Sequence, residues 1–147
     1  MPKNPENPFY EMDKVYLDDG SPINPLGKDF VDYGLGAFLR SRPEWAHLAL
    51  ENDGKFRVPT VRNVDLRPGV GFPKAYMHNG VFKSLEEVVH FYNTRDLPEE
   101  GWAPPEVEMN VNRELFEGVP MGNFELDAEA EAAIVAFLKT LSDGYKP

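Results

Sequence analysis

No cysteine occurs among the 147 residues of this chain. Its absence excludes disulfide bonds, thiolate ligands to a metal and a cysteine nucleophile. The chain also lacks a run of about 18 apolar residues, so no membrane-spanning helix is expected. Its first residues, MPKNPENPFYEM, contain no apolar core of the kind found in a secretory signal. The sequence therefore predicts a domain that folds without disulfides and spans no membrane.

Basic residues are few, with 15 Lys and Arg against 25 Asp and Glu, and the formal net charge is −10. Nucleic acid is not an expected partner, because phosphate binding requires clustered Lys and Arg. An acidic surface would steer a basic partner, such as a small electron-carrier protein, toward the chain. Solubility alone is the simpler explanation of this charge.

Regular structure is limited by 12 Gly and 14 Pro, which favour loops and turns. Repeated Asn-Pro pairs predict an extended N-terminal arm over residues 1–29, followed by one domain over 30–147. Helices are predicted over 30–40, over 43–51, from Ser84 to Asn93, and from Asp127 until Gly144 ends the chain's last helix. The predicted fold class is all-α, with long Pro- and Gly-rich loops.

The third predicted helix has the clearest start. Ser84 is followed three residues later by Glu87, the pattern of a capping box. Apolar residues at i, i+3, i+4 and i+7 then predict one buried face that includes Tyr92. From periodicity alone, Tyr92 is more simply explained as a core residue than as a ligand.

The last predicted helix has Asp127 as its N-cap. Ile134, Leu138 and Leu141 form its apolar stripe, which Val135 and Phe137 widen.

Few residues could carry chemistry. Only three histidines are present, and their spacing does not match a zinc site. His47 and His90 are expected on solvated helix surfaces, whereas His78 lies in an irregular loop beside Met77. No Gly-x-Ser-x-Gly or phosphate-loop motif occurs. The scattered carboxylates leave open an acidic soluble enzyme of another kind.

Three runs between Phe56 and Gly144 together point to a family. FRVPTVRNV, AYMHNGVFKSLEEVVHFYN and ELDAEAEAAIVAFLKTLSDG resemble the C-terminal haem domain of bacterial di-haem cytochrome c peroxidases, and most closely the MauG-like branch. The resemblance implies a cytochrome c-like helical domain of a periplasmic oxidoreductase that uses hydrogen peroxide. It also implies a bound haem c with iron at its centre.

The same resemblance assigns roles to particular residues. Peroxidase-like members place Met as one axial ligand of the electron-transfer haem, whereas MauG-like members place Tyr, and the matching residue here is Tyr92. Pro59, Arg62 and Asn63 fall in the run that packs beside the haem, with Arg62 as a partner for a propionate. An ordinary surface ion pair is an equally good explanation of Arg62. Met77 and His78 are expected at the haem edge, and Met77 is a rival ligand.

A calcium ion is also part of the family pattern, and the matching carbonyl groups would belong to Pro73 or Ala75. The main departure from the pattern is the missing Cys-x-x-Cys-His motif, through which haem c is attached. Two readings follow. The chain is either the C-terminal part of such an enzyme, completed by an upstream haem-bearing segment or chain, or a haem-free binding or assembly module derived from the family.

Overall fold

A computed structural model describes residues 4–7, 14–66, 74–115 and 117–144. It contains the α-helices α1 (Leu35–Arg40), α2 (Leu85–Thr94) and α3 (Ala128–Thr140). Short 3-10 segments cover Gly27–Asp29, Ala46–Leu48, Leu50–Asn52 and Pro98–Glu100. Isolated β-bridges pair Tyr16 with Pro22, Gly34 with Lys55, Tyr76 with Phe82 and Glu114 with Pro120.

The predicted all-α, cytochrome c-like fold class is wrong for the described residues, because most of them lie in loops between the three helices. The physical reason is the frequency of residues with positive φ, which a continuing right-handed helix does not accommodate. Gly34, for example, has a φ of 53° and lies immediately before α1. The helix predicted over residues 30–40 therefore begins only at Leu35.

The helix predicted over residues 43–51 is replaced by two 3-10 segments. The amides of Leu48, Ala49 and Asn52 each donate to a carbonyl three residues earlier. Such tighter turns are common as connectors and are seldom longer than three or four residues. The sequence pattern identified the helical character of this segment but not its hydrogen-bonding period.

The capping box of α2 is confirmed. Ser84 Oγ accepts a hydrogen bond from the amide of Glu87, and the Glu87 carboxylate accepts one from the amide of Ser84. Together these bonds satisfy two amides that the first turn leaves without helical partners. The helix continues one residue beyond Asn93, to Thr94.

The N-cap of α3 is also confirmed, since the Asp127 carboxylate accepts from the amide of Ala130 at 2.8 Å. The helix ends at Thr140, before the predicted terminator Gly144. Of its predicted apolar stripe, Val135 is buried, whereas Ile134 and Phe137 are exposed.

The chain packs as two compact units, Met1–Phe56 with Ala103–Val111, and Arg57–Trp102 with Asn112–Pro147. In the first unit, the buried Asp53 carboxylate accepts two hydrogen bonds from the Arg40 guanidinium. The Asn110 amide also donates to the carbonyls of Leu50 and Asp53. The predicted arm of residues 1–29 is only partly described and stays a prediction.

The second unit has an aromatic core next to α2. Phe91 is 3% exposed. Its ring centroid lies 5.0 Å from that of Phe82 and 5.3 Å from that of Trp102, with the Trp102 ring at 88°. These are favourable edge-on and tilted geometries for aromatic pairs. The indole nitrogen of Trp102 donates to Thr94 Oγ1, which joins the cluster to the end of α2. Among the described helices, none is long and apolar enough to cross a membrane.

Candidate functional site

Helix α2 is largely buried, but Tyr92 in its last turn is exposed. Leu85, Val89 and Asn93 are buried along one side, and Phe91 is buried toward the aromatic core. Tyr92, in contrast, is 40% exposed, so the prediction that it belongs to the buried face is wrong. The i+7 spacing from Leu85 does place it close to that face. Tyr92 is thus the exposed residue of a last turn whose other residues are buried.

The hydroxyl of Tyr92 forms no hydrogen bond with the described residues. Burial raises the pKa of the phenol above its ordinary value of 10.0, and the nearby Arg95 opposes this shift. The Tyr92 ring meets that of Phe91 edge-on, at 5.8 Å between centroids. The chain therefore presents a neutral phenol in partly apolar surroundings, and this phenol would need a strong cation nearby to lose its proton.

The segment from Val58 to Arg62 is exposed, including Pro59, and Val58 is 87% exposed. The Arg62 guanidinium forms no ion pair with the described residues. The surface ion pair that the sequence left open for this residue is therefore not found in the described part of the chain. An exposed apolar segment that ends in such a guanidinium is suited to a partner with an apolar body and a carboxylate.

Asn63 fixes this segment to the end of α3. Its φ is 59°, its amide donates to the Leu141 carbonyl at 2.6 Å, and its side chain exchanges two hydrogen bonds with Asp143. Asn tolerates this left-handed conformation better than most residues do. Asn63 thus fixes the backbone next to Arg62, while the predicted contact of Asn63 with a haem stays a prediction.

Met77 and His78 lie in a tight turn closed by the Tyr76–Phe82 bridge. Met77 has a φ of 68° and is half-buried, whereas His78 is exposed. For calcium, Pro73 lies outside the described residues and Ala75 is exposed. Within the described ranges, no group of three or more His, Asp or Glu side chains could hold a metal ion. Both the haem-edge roles and the calcium site stay predictions.

His90 is not merely solvated, as the sequence had suggested. Its Nδ1 lies 3.0 Å from Glu131 Oε1, and its Nε2 lies 3.3 Å from Glu100 Oε2. The hydrogen bond to Glu131 raises the pKa of His90, partly offset by desolvation, and Glu100 adds to the rise. Sequence reasoning missed this cluster because Glu131 is 41 residues away. His47 is exposed, as expected.

A pH-dependent stability follows from the His90 cluster. A raised pKa in the folded state means that protonated His90 stabilises the fold, fully so below the ordinary value of 6.5. This contribution is lost as the pH rises through the higher folded-state pKa. We expect the loss to be under about 1 kcal/mol, because the pair is partly exposed.

The measurement is the free energy of unfolding between about pH 6 and pH 8, compared with the His90→Gln variant. The variant should lack the decline, whereas His47→Gln should keep it. Equal pH profiles for the native protein and His90→Gln would contradict this assignment.

Comparison with curated proteins gives relatives across most of the chain. It is 38% identical over 151 residues to the methylamine utilization protein MauG of Paracoccus denitrificans, which covers 90% of this chain and 35% of the relative. It is 31% identical over 119 residues to the cytochrome-c peroxidase IdrP2 of Pseudomonas sp. strain SCT, covering 78% of the chain and 26% of the relative. An IdrP2 from Denitromonas iodatirespirans is 26% identical over 146 residues.

The chain thus spans about a third or less of the length of these relatives. No family model matches it, and no solved structure matches it.

Proposed function

We propose that this chain forms the C-terminal part of a di-haem oxidoreductase. The premise is its family, because the chain belongs to the family of MauG and the cytochrome-c peroxidases. In this proposal it supplies the distal side of the electron-transfer haem, with Tyr92 as the axial ligand. The observation that carries the proposal is the exposed phenol of Tyr92, which lies on a helix that is otherwise largely buried and forms no hydrogen bond with the described residues.

These residue types suit contacts to one side of a haem rather than a complete site. Tyr92 offers an oxygen ligand, and Arg62 offers a cation that suits a propionate. Val58 and Val61 offer exposed apolar contacts. The chain has no cysteine, so the thioether attachment and its histidine must come from an upstream segment or another chain. We therefore expect haem c in the complete protein and not in this chain by itself.

A bound haem would supply the one-electron chemistry, and this chain would adjust it. A phenolate ligand favours the ferric state and lowers the reduction potential relative to a thioether ligand. The raised pKa of Tyr92 means that the phenol keeps its proton unless a cation such as ferric iron lies against it. The guanidinium of Arg62, which has no ion pair with the described residues, would hold a propionate and so orient the macrocycle.

The substrate, partner and location that we propose are taken from the relatives. Hydrogen peroxide is the proposed oxidising substrate, and it would react at the second haem, outside this chain. A small electron-carrier protein is a proposed partner, and the net charge of −10 would favour a basic one. The periplasm is the proposed location. The relatives named as cytochrome-c peroxidases support the use of peroxide.

The absorption spectrum of the protein purified from its natural source tests this proposal. We expect a Soret band in the chain itself or in a complex that contains it. A preparation that is folded and complete but has no Soret band would contradict the proposal. It would favour the haem-free binding or assembly module instead.

A further inference from the structure

The carboxamide of Asn93, next to Tyr92, is buried and makes three hydrogen bonds. Asn93 is 4% exposed. Its Nδ2 donates to the Leu126 carbonyl at 2.9 Å and to Glu131 Oε1 at 2.6 Å, while its Oδ1 accepts from the Leu126 amide at 3.1 Å. The backbone carbonyl of Asn93 also accepts from the amide of Phe124. Both amide protons of the side chain are thus used.

Glu131 joins this side chain to helix α3. It lies in the first turn of α3, and its Oε1 accepts from both Asn93 Nδ2 and His90 Nδ1. The Glu131 side chain is 20% exposed. Hydrogen bonds to a charged acceptor in such surroundings are stronger than those between neutral groups. The last turn of α2 is therefore held to the start of α3 by directional, partly buried hydrogen bonds.

We propose that Asn93 and Glu131 form a positioning brace that sets the direction of the Tyr92 phenol, an inference that rests on the proposed ligand role of Tyr92. The Tyr92 hydroxyl has no hydrogen bond of its own to the described residues. Its direction consequently depends on the rotation of α2 about its axis and on the contact of its ring with Phe91. Asn93 follows Tyr92 directly, so fixing Asn93 fixes that rotation.

The precision that a ligand requires is the physical reason for such a brace. Helix Cα atoms lie about 2.3 Å from the axis, so a tyrosine oxygen lies roughly 8 Å from it, and a 10° rotation moves that oxygen by about 1.4 Å. A ligand-forming side chain must be held to within about 0.5 Å of its productive position. The ring contact between Tyr92 and Phe91 cannot set this rotation, because both residues belong to α2. The packing of the buried apolar residues of α2 limits the rotation, and the directional bonds of Asn93 set it more closely.

The test compares four variants in the complete haem-loaded protein: Asn93→Ala, Glu131→Ala, Glu131→Gln and Asn110→Ala. Glu131→Gln keeps an oxygen acceptor for the Asn93 amide. Asn110→Ala is the matched control, because the Asn110 amide also donates to two carbonyls, but in the other unit. The readouts are the electron paramagnetic resonance spectrum of the ferric protein and the free energy of unfolding.

We expect Asn93→Ala and Glu131→Ala to add a second low-spin species that makes up at least about a tenth of the signal, as two populated Tyr92 orientations would. Glu131→Gln should restore one species, and Asn110→Ala should keep the native spectrum whatever its loss of stability. If Asn93→Ala does not fold, the spectrum of Glu131→Ala is the test, because this variant removes only one hydrogen-bond acceptor.

Unchanged spectra in both alanine variants, with stability lowered as in Asn110→Ala, would overturn the brace and leave the proposed function intact. A native spectrum that does not change in Tyr92→Phe would overturn the ligand role of Tyr92 and the brace with it.

Discussion

Replacing Tyr92 with phenylalanine is expected to remove the low-spin ferric spectrum of the electron-transfer haem in the complete protein. Phenylalanine keeps the ring and its contact with Phe91 but lacks the oxygen that would bind iron. Most of this haem should become high-spin, and its reduction potential should rise, because a phenolate favours the ferric state. Absorption and paramagnetic resonance spectra measure the first effect, and a redox titration measures the second.

The same substitution should change the free energy of unfolding by under about 1 kcal/mol in the haem-free protein, because the hydroxyl makes no hydrogen bond with the described residues. Tyr33→Phe is a matched control, since Tyr33 is 38% exposed, close to the 40% of Tyr92. Its spectrum should equal that of the native protein. Met77→Leu should also leave the spectrum unchanged. If Met77→Leu removes the low-spin signal while Tyr92→Phe does not, the rival ligand is correct.

Replacing Phe91 with alanine is expected to lower the free energy of unfolding by about 3–5 kcal/mol, the usual cost of removing a buried phenylalanine ring. The loss includes two close ring contacts, with Phe82 and Trp102. A typical domain is stable by only about 5–15 kcal/mol, so the variant should be close to unfolding. Denaturant titration of the protein measures the difference.

Phe137→Ala is the control for this experiment, because the Phe137 side chain is 60% exposed. Its cost should stay within about 0.5 kcal/mol when no partner covers α3. A similar loss in both variants would contradict the division into a buried aromatic core and an uncovered face of α3. A large loss for Phe137→Ala only in the complete protein would instead show that another segment covers this face.

The features that the sequence predicted well are local ones. The caps of α2 and α3 depend on Ser84, Glu87 and Asp127, and each of these residues bonds an amide three positions away. Such contacts can be predicted from sequence because a helix fixes the distance between residues of known spacing. The family resemblance could be recognised for a different reason, because it rested on the order of three sequence runs between residues 56 and 144.

The features that the sequence did not predict depend on distant parts of the chain. Periodicity placed Tyr92 near the buried face, but which side of α2 is covered depends on where α3 and the Phe82–Phe91–Trp102 cluster pack. The Asn93–Glu131 bond spans 38 residues, and the His90–Glu131 contact spans 41. The α-helix predicted over residues 43–51 was wrong because helical spacing does not distinguish α from 3-10 hydrogen bonding.

Resonance Raman spectroscopy of the ferric haem-loaded protein tests the ligand role of Tyr92 most directly. Excitation in a phenolate-to-iron charge-transfer band should give ring vibrations of an iron-bound phenolate, and these should disappear in Tyr92→Phe and persist in Tyr33→Phe. A haem-loaded native protein without phenolate vibrations would contradict the central claim that the exposed phenol of α2 binds iron.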